Sequence, residues 1–149
     1  MAFSLFSDEG AQNAANPSRI LLGTNVILDW LLDRHPFVDK ALRFWQAHDA
    51  GRASLHVPAS VLTDIFYIAR RQIGASAAME SLDRCLAVFE IIPVDKTILL
   101  RARALPGNDF EDNVAIACAE AEQLDVIITR DVKGFQRSPV SALDPMSLP

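Results

Sequence analysis

Apolar positions along this chain fall into short runs alternating with helical stripes. Ile20-Leu21-Leu22 is a compact run ending at Gly23-Thr24, the pattern of a buried strand followed by a turn. Thr24 is placed to cap a helix with Val26, Ile27, Trp30 and Leu31 on one face. Asp29 and Asp33 then fall on the opposite, solvated side. A second helix is predicted over Val38 to Ala50, with Ala41, Leu42, Trp45 and His48 inward and Gly51 as its stop. Ser54-Leu55-His56-Val57 has the pattern of a strand. Ser60 is expected to cap a helix through Arg71, Gly74 to break it, and residues 76 to 88 to form another helix. A strand over Phe89 to Ile92 precedes Pro93. Asp95 caps a helix over Ile98 to Ala104, Pro106-Gly107-Asn108 makes a loop, and Asp109 opens a helix to about Gln123. Asp125 to Thr129 is the plainest buried strand. A turn over Val132 to Phe135 and a strand near Val140 to Leu143 complete the pattern.

Strands alternating with helices imply a parallel sheet covered on both faces, an α/β sandwich. Residues 1–18, small and polar after a short apolar start, are read as a flexible N-terminal arm, and residues 19–149 as one domain. A length of 149 residues with 50% hydrophobic and 22% charged positions suits one globular core. It excludes a mainly disordered chain, a fibre and a disulfide scaffold. The net charge of −5, from 14 basic and 19 acidic residues, gives no bulk attraction for nucleic acid. A polyanionic substrate would need metal ions or a local arginine cluster to reverse the field. Cys85 and Cys118 lie in apolar helical contexts and are expected to be small buried hydrophobes. No run has the length of a membrane span, and the opening residues do not resemble a leader, so a cytoplasmic location is expected.

In an open parallel sheet, ligands bind beyond the carboxyl ends of the strands. If the strands ending at Gly23 and Thr129 are neighbours, Asp131, Thr129 and the Gly23 turn share one rim. Asp109 and Asp112, three apart at the start of a helix, come near the same place, and Asp64 lies early in the helix after the second strand. Several carboxylates at such a rim suit Mg²⁺ or Mn²⁺, which take oxygen ligands and keep waters. The matching chemistry is metal-assisted phosphodiester hydrolysis. Structural roles stay open beside this one. Asp109 serves equally as an N-cap, with Glu111 and Asp112 favourable in the first helical turn, and Asp131 serves equally as a loop carboxylate.

The segments ILLGTNVILDWLLDRHP, VPASVLTDIFYIARR, FEIIPVD, NDFEDNVAIACAEAEQLDVIITRDVKGF and SPVSALDP, spanning about residues 19 to 146, resemble the PIN domain family. The likeness is to VapC-like ribonuclease toxins of bacterial toxin–antitoxin pairs. The resemblance implies a three-layer α/β/α sandwich with a central parallel sheet and a Mg²⁺- or Mn²⁺-dependent endoribonuclease site. It makes Asp64, Asp112 and Asp131 the second, third and fourth acidic positions. Thr129 matches a hydroxyl that positions the metal or its water, and Asp109 matches an accessory position. Asn25 and Arg130 are candidates for substrate contact. The family's first acidic position, Asp in Asp-Thr-Asn, is Gly23 here. Glycine offers no side-chain ligand, so metal affinity and activity are expected to be weakened or lost. The resemblance further implies an RNA substrate, an antitoxin protein partner and a homodimer, for which Phe66 and Tyr67 are candidate face residues. The competing reading is a PIN-like module that binds RNA or an antitoxin-like partner without turnover. A phosphohydrolase of another doubly wound class fits poorly, because no glycine-rich phosphate loop is present.

Overall fold

The computed structural model describes residues 16–149. Most of the expected N-terminal arm, residues 1–15, lies outside the described residues. Five parallel strands form one sheet in the order β3-β2-β1-β4-β5. They are β1 (Ser18–Leu22), β2 (Ala53–Pro58), β3 (Glu90–Ile92), β4 (Val126–Ile128) and β5 (Ala142–Leu143). Six helices intervene: α1 (Thr24–Leu31), α2 (Val38–Asp49), α3 (Ala59–Ile73), α4 (Ala75–Val88), α5 (Lys96–Ala104) and α6 (Phe110–Ala121). A 3-10 turn spans Val132–Phe135. This is the expected three-layer α/β/α sandwich.

Strand alternation divides the interior in two. Ile20, Leu22, Val126 and Ile128 face a core with Phe44, Leu55, Val57 and Ile65, on the side of α1 to α4. Leu21 and Ile127 face the other core with Ile98, Ala102, Val114 and Ala117, under α5 and α6. The central positions Ile20, Leu21, Leu22, Ile127 and Ile128 are at most 1% exposed. Each contributes roughly 1.5–3 kcal/mol by burial, and together they fix the β1–β4 pair rigidly. Cys85 and Cys118 are buried thiols, as expected, and burial pushes them up to about 11 and about 12.

Three local readings need correction. Thr24 does not cap α1. Gly23 occupies the cap position with no side-chain bond, and Thr24 lies inside the helix. Ser60 likewise lies inside α3, where Pro58 holds the cap position in an extended conformation. Asp29 is not solvated. It is 1% exposed and ion-paired, as described below. The caps on Asp95 and Asp109 hold: Ile98 N donates to Asp95 Oδ1 at 3.0 Å and Asp112 N to Asp109 Oδ1 at 3.0 Å. Gly74, at φ 85°, turns α3 into α4 through a backbone region that side chains disfavour. Phe66 and Tyr67 line an apolar cleft between these helices with Met79, Leu82 and Leu86. Among the described residues, no helix is long and apolar enough to cross a membrane.

Candidate active site

The sheet order places the topological switch between β1 and β4, whose connections run to opposite faces. Gly23 N donates to Ile128 O at 2.7 Å, so the turn after β1 is fastened directly to the end of β4. The expected rim therefore forms. A cleft of about 240 Å³ opens there, with walls including Gly23, Thr24, Asn25, Asp109, Asp112, Thr129 and Asp131.

Each acid reaches the cleft for a local reason. Asp131 follows β4 in a turn held by its own backbone N–H, which donates to Thr129 Oγ1 at 3.1 Å. Thr129 is 8% exposed, and its hydroxyl is thus occupied in shaping the loop that carries Asp131. Asp109 caps α6 and stands three residues before Asp112, so both project from the first turn. Burial raises the Asp112 carboxyl first, and the neighbouring Asp109, Asp131 and Glu111 raise it further, to about 6. No cation pairs with Asp109, Asp112 or Asp131 among the described residues.

Asp64 stands apart from this group. It is exposed on α3, and it lines a neighbouring cavity of about 420 Å³ with Thr24, Asn25, Tyr67, Arg71 and Glu111. Among the described residues, no three His, Cys, Asp or Glu side chains are gathered closely enough to hold a metal ion. Asn25 is exposed at the lip shared by the two cavities. Arg130 borders the acidic cleft, yet its guanidinium is committed inward. Its Nε lies 2.9 Å from Asp29 Oδ2, its Nη2 donates to Asp29 Oδ1 at 3.2 Å, and its Cζ stacks 3.9 Å above the Phe37 ring.

Two residues of the site were not singled out from the sequence. Glu111 lines both cavities and accepts from Thr24 Oγ1 at 3.4 Å, linking α6 to α1. Its place in a helix's first turn was the only available signal, and that reading sufficed without a site. Gly134, in the 3-10 turn, packs its bare backbone against Asp112, and a Cβ there would collide with the carboxylate. Gly23 is a different case. Its backbone, φ −70° and ψ 155°, is open to any residue, and a Cβ would meet Ile128 O at 3.1 Å. The backbone angles do not demand glycine there, but a side chain needs a few tenths of an ångström from the Ile128 carbonyl, which also accepts from Gly23 N.

Comparisons with known proteins agree with this architecture. No curated protein matches the chain in sequence. The structure resembles VapBC2 from Rickettsia felis, solved with a DNA fragment from its promoter, at TM-score 0.65 and 20% identity, covering 85% of this chain and 98% of that one. It resembles VapC20 from Mycobacterium tuberculosis, a sarcin–ricin loop cleaving toxin, at TM-score 0.64 and 15% identity, covering 78% and 95%. It also resembles a toxin–antitoxin complex from Klebsiella pneumoniae at TM-score 0.62 and 22% identity, covering 85% and 97%. The PIN domain family matches residues 19–133, most of the chain. A parallel sheet switched between β1 and β4, acids at that switch and this sequence match agree: the chain belongs to the PIN domain family, a family of nuclease-type domains.

Proposed function

We propose that this chain is a divalent-metal-dependent endoribonuclease whose activity is weakened or silenced by Gly23. The carrying observation is that Asp109, Asp112 and Asp131 share one cleft with no cation paired to any of them among the described residues, in a chain of a nuclease-type family. Unpaired, mutually repelling acids in a cleft are costly unless a cation joins them. Mg²⁺ or Mn²⁺ fits the donor set, because such ions are often held by one or two carboxylates and otherwise keep water. Asp112 and Asp131 would hold the ion; Glu111 lines the same cleft, and Asp64 stands in the adjoining cavity. Held by these residues, the ion would supply an activated water and positive charge for phosphodiester hydrolysis.

The chain's own residues do the positioning. Thr129 fixes the Asp131 turn, Asp109 fixes the first turn of α6 beneath Asp112, and Asn25 at the lip is the proposed substrate contact. Arg130 acts from behind, tying the β4 end to α1 through Asp29. RNA as substrate is supported by the description of the tuberculosis toxin, and a protein antitoxin by the Klebsiella complex. Self-association through Phe66 and Tyr67 belongs to the same proposal, supported by the apolar cleft they line.

A non-catalytic binding module is the second reading, and Gly23 is the observation that favours it. One experiment separates the two. Cleavage of a mixed RNA substrate with Mn²⁺ is compared for this chain and its Gly23→Asp variant, with EDTA as control. The variant, its fold checked by melting temperature because the added Cβ meets the Ile128 carbonyl at 3.1 Å, is expected to cut roughly 100-fold faster, as befits a restored metal ligand. Cleavage by neither protein would overturn the enzyme reading and leave the binding module.

A further inference from the structure

The acidic cleft is the middle of three adjoining cavities. On one side it shares Asp109, Asp112 and Asp131 with a cavity of about 670 Å³, between the loop after α5 and the 3-10 turn. On the other it shares Thr24, Asn25 and Glu111 with the cavity of about 420 Å³ that holds Asp64. The outer cavities carry the cations. Lys133 and Arg137 line the larger one, and Arg71 lines the smaller. All three are exposed, and none forms an ion pair among the described residues, although carboxylates stand in the same walls.

Cations left free beside uncompensated acids are set for an anion that spans both. A metal-neutralised centre flanked by unpaired guanidinium and ammonium groups has the charge pattern of a bound single strand: the middle phosphate over the acids and the flanking phosphates over the cations. The larger cavity also has Leu105, Pro106 and Ile116 in its walls, apolar surface against which a base can lie. With an overall charge of −5, any attraction of RNA has to come from local cations such as these.

We propose that the three cavities form one groove for single-stranded RNA, in which Lys133 and Arg137 are positioning residues for the phosphates on one side of the cleavage point and Arg71 for those on the other. This rests on the nuclease reading of the central acids, and it adds which face the strand enters and which side chains hold it.

The test is fluorescence anisotropy of a labelled RNA decamer binding to the full chain in Mn²⁺ over a salt series, with the decamer's integrity checked on a denaturing gel. Lys133→Ala with Arg137→Ala is expected to weaken binding roughly tenfold and to lower the magnitude of the salt slope by about 1.4, the loss of two phosphate contacts to a single strand. Arg71→Ala is expected to lower the slope by about half as much. Lys133→Gln with Arg137→Gln, which keeps side-chain bulk, should behave like the alanine pair, and unchanged melting temperatures would show that all variants fold. An unchanged affinity and slope in the pair would overturn the groove, as would no RNA binding by the parent chain. Equally tight binding of an acidic peptide of the same charge would also overturn it, assigning these cations to a protein partner. The two proposals fail separately. If Gly23→Asp cuts RNA as well with the pair as without it, the groove is wrong and the nuclease stands. If Gly23→Asp is inert while the pair still weakens binding and lowers the salt slope, the nuclease is wrong and the groove stands.

Discussion

Asp29 and Asp112 are carboxylates on either side of the same β4 turn, and burial pushes both upward. Their surroundings otherwise oppose one another. Asp29 meets two cations: Arg130 through two of its nitrogens, and Arg34 at 3.9 Å. Both arginines pull its carboxyl back down against the effect of burial. Asp112 meets Asp109, Asp131 and Glu111, which add to the effect of burial. At this turn Arg34 and Arg130 are paired with Asp29 behind the sheet end, whereas the cations in front, Lys133 and Arg137, line a cavity with Asp112 without pairing to it among the described residues. Charge that is matched within the chain holds the fold, and charge left unmatched in a cleft is available to a ligand.

The sharpest way to break that comparison is Asp29→Ala. The substitution leaves Arg130, 24% exposed, facing a buried void without its partner. Removal of one member of a buried pair costs about 3–5 kcal/mol, and the loss should be seen in urea unfolding as a lower midpoint with little change in slope. A change within about 0.5 kcal/mol, the range of an ordinary surface site, would mean that Asp29 is no more structural than Asp112.

Asp112→Asn should move stability the other way. A carboxyl raised by folding binds its proton more tightly in the folded chain. Its contribution is therefore fullest below the ordinary carboxylate range and is lost as pH rises from 3.8 to about 6. Without metal, the variant should be more stable than the parent by about 1 kcal/mol at pH 7, after allowance for solvent screening. The difference should shrink as pH falls through that window and stay flat above it. Mn²⁺ should reverse the order. At a hundred times its dissociation constant, a ligand adds about 2.7 kcal/mol to the protein that binds it, and the variant should gain little. Thermal melts at several pH values, with and without Mn²⁺, read both effects. A variant less stable than the parent in EDTA would make Asp112 a structural acid.

The sequence disclosed one side of this comparison better than the other. Ile20-Leu21-Leu22 and Val126-Ile127-Ile128 are legible because a strand buried on both faces must be apolar throughout. From their ends, the rim holding Asp131 and Asp112 follows by topology. Asp95 and Asp109 are legible as caps because their partner N–H groups lie three residues away. Asp29 was misread because its partner Arg130 is 101 residues distant, and a helical wheel sees only neighbours. Thr24 and Ser60 were misread as caps because Gly23 and Pro58 already supply the extended backbone ahead of each helix. The Thr24–Glu111 contact, across 87 residues, was beyond local pattern for the same reason. The separation of Asp64 from Asp112 depends on the seating of α3 against α1, which spacing does not encode.

Gly134→Ala has the smallest expected effect on stability and refines the front side of the comparison. Asp112 is held between like charges and the bare backbone of Gly134, and among the described residues no cation fixes its direction. A methyl group at 134 must displace the carboxylate, since the added Cβ falls on its oxygen. In the cation-free protein that displacement relieves crowding among acids as well as creating contact, so overpacking should cost less than about 1 kcal/mol, below its usual range. Metal binding should suffer more, because a ligand moved by about 1 Å no longer meets the ion with its partner Asp131. Mn²⁺ titration followed by melting temperature is expected to show a weaker response at roughly tenfold lower affinity, with the EDTA melt nearly unchanged. An intact Mn²⁺ response would mean that the carboxylate's direction is set by the ion rather than by the turn beside it. The unmatched charge would then be mobile, and the geometry of Val132–Phe135 would matter only through Lys133.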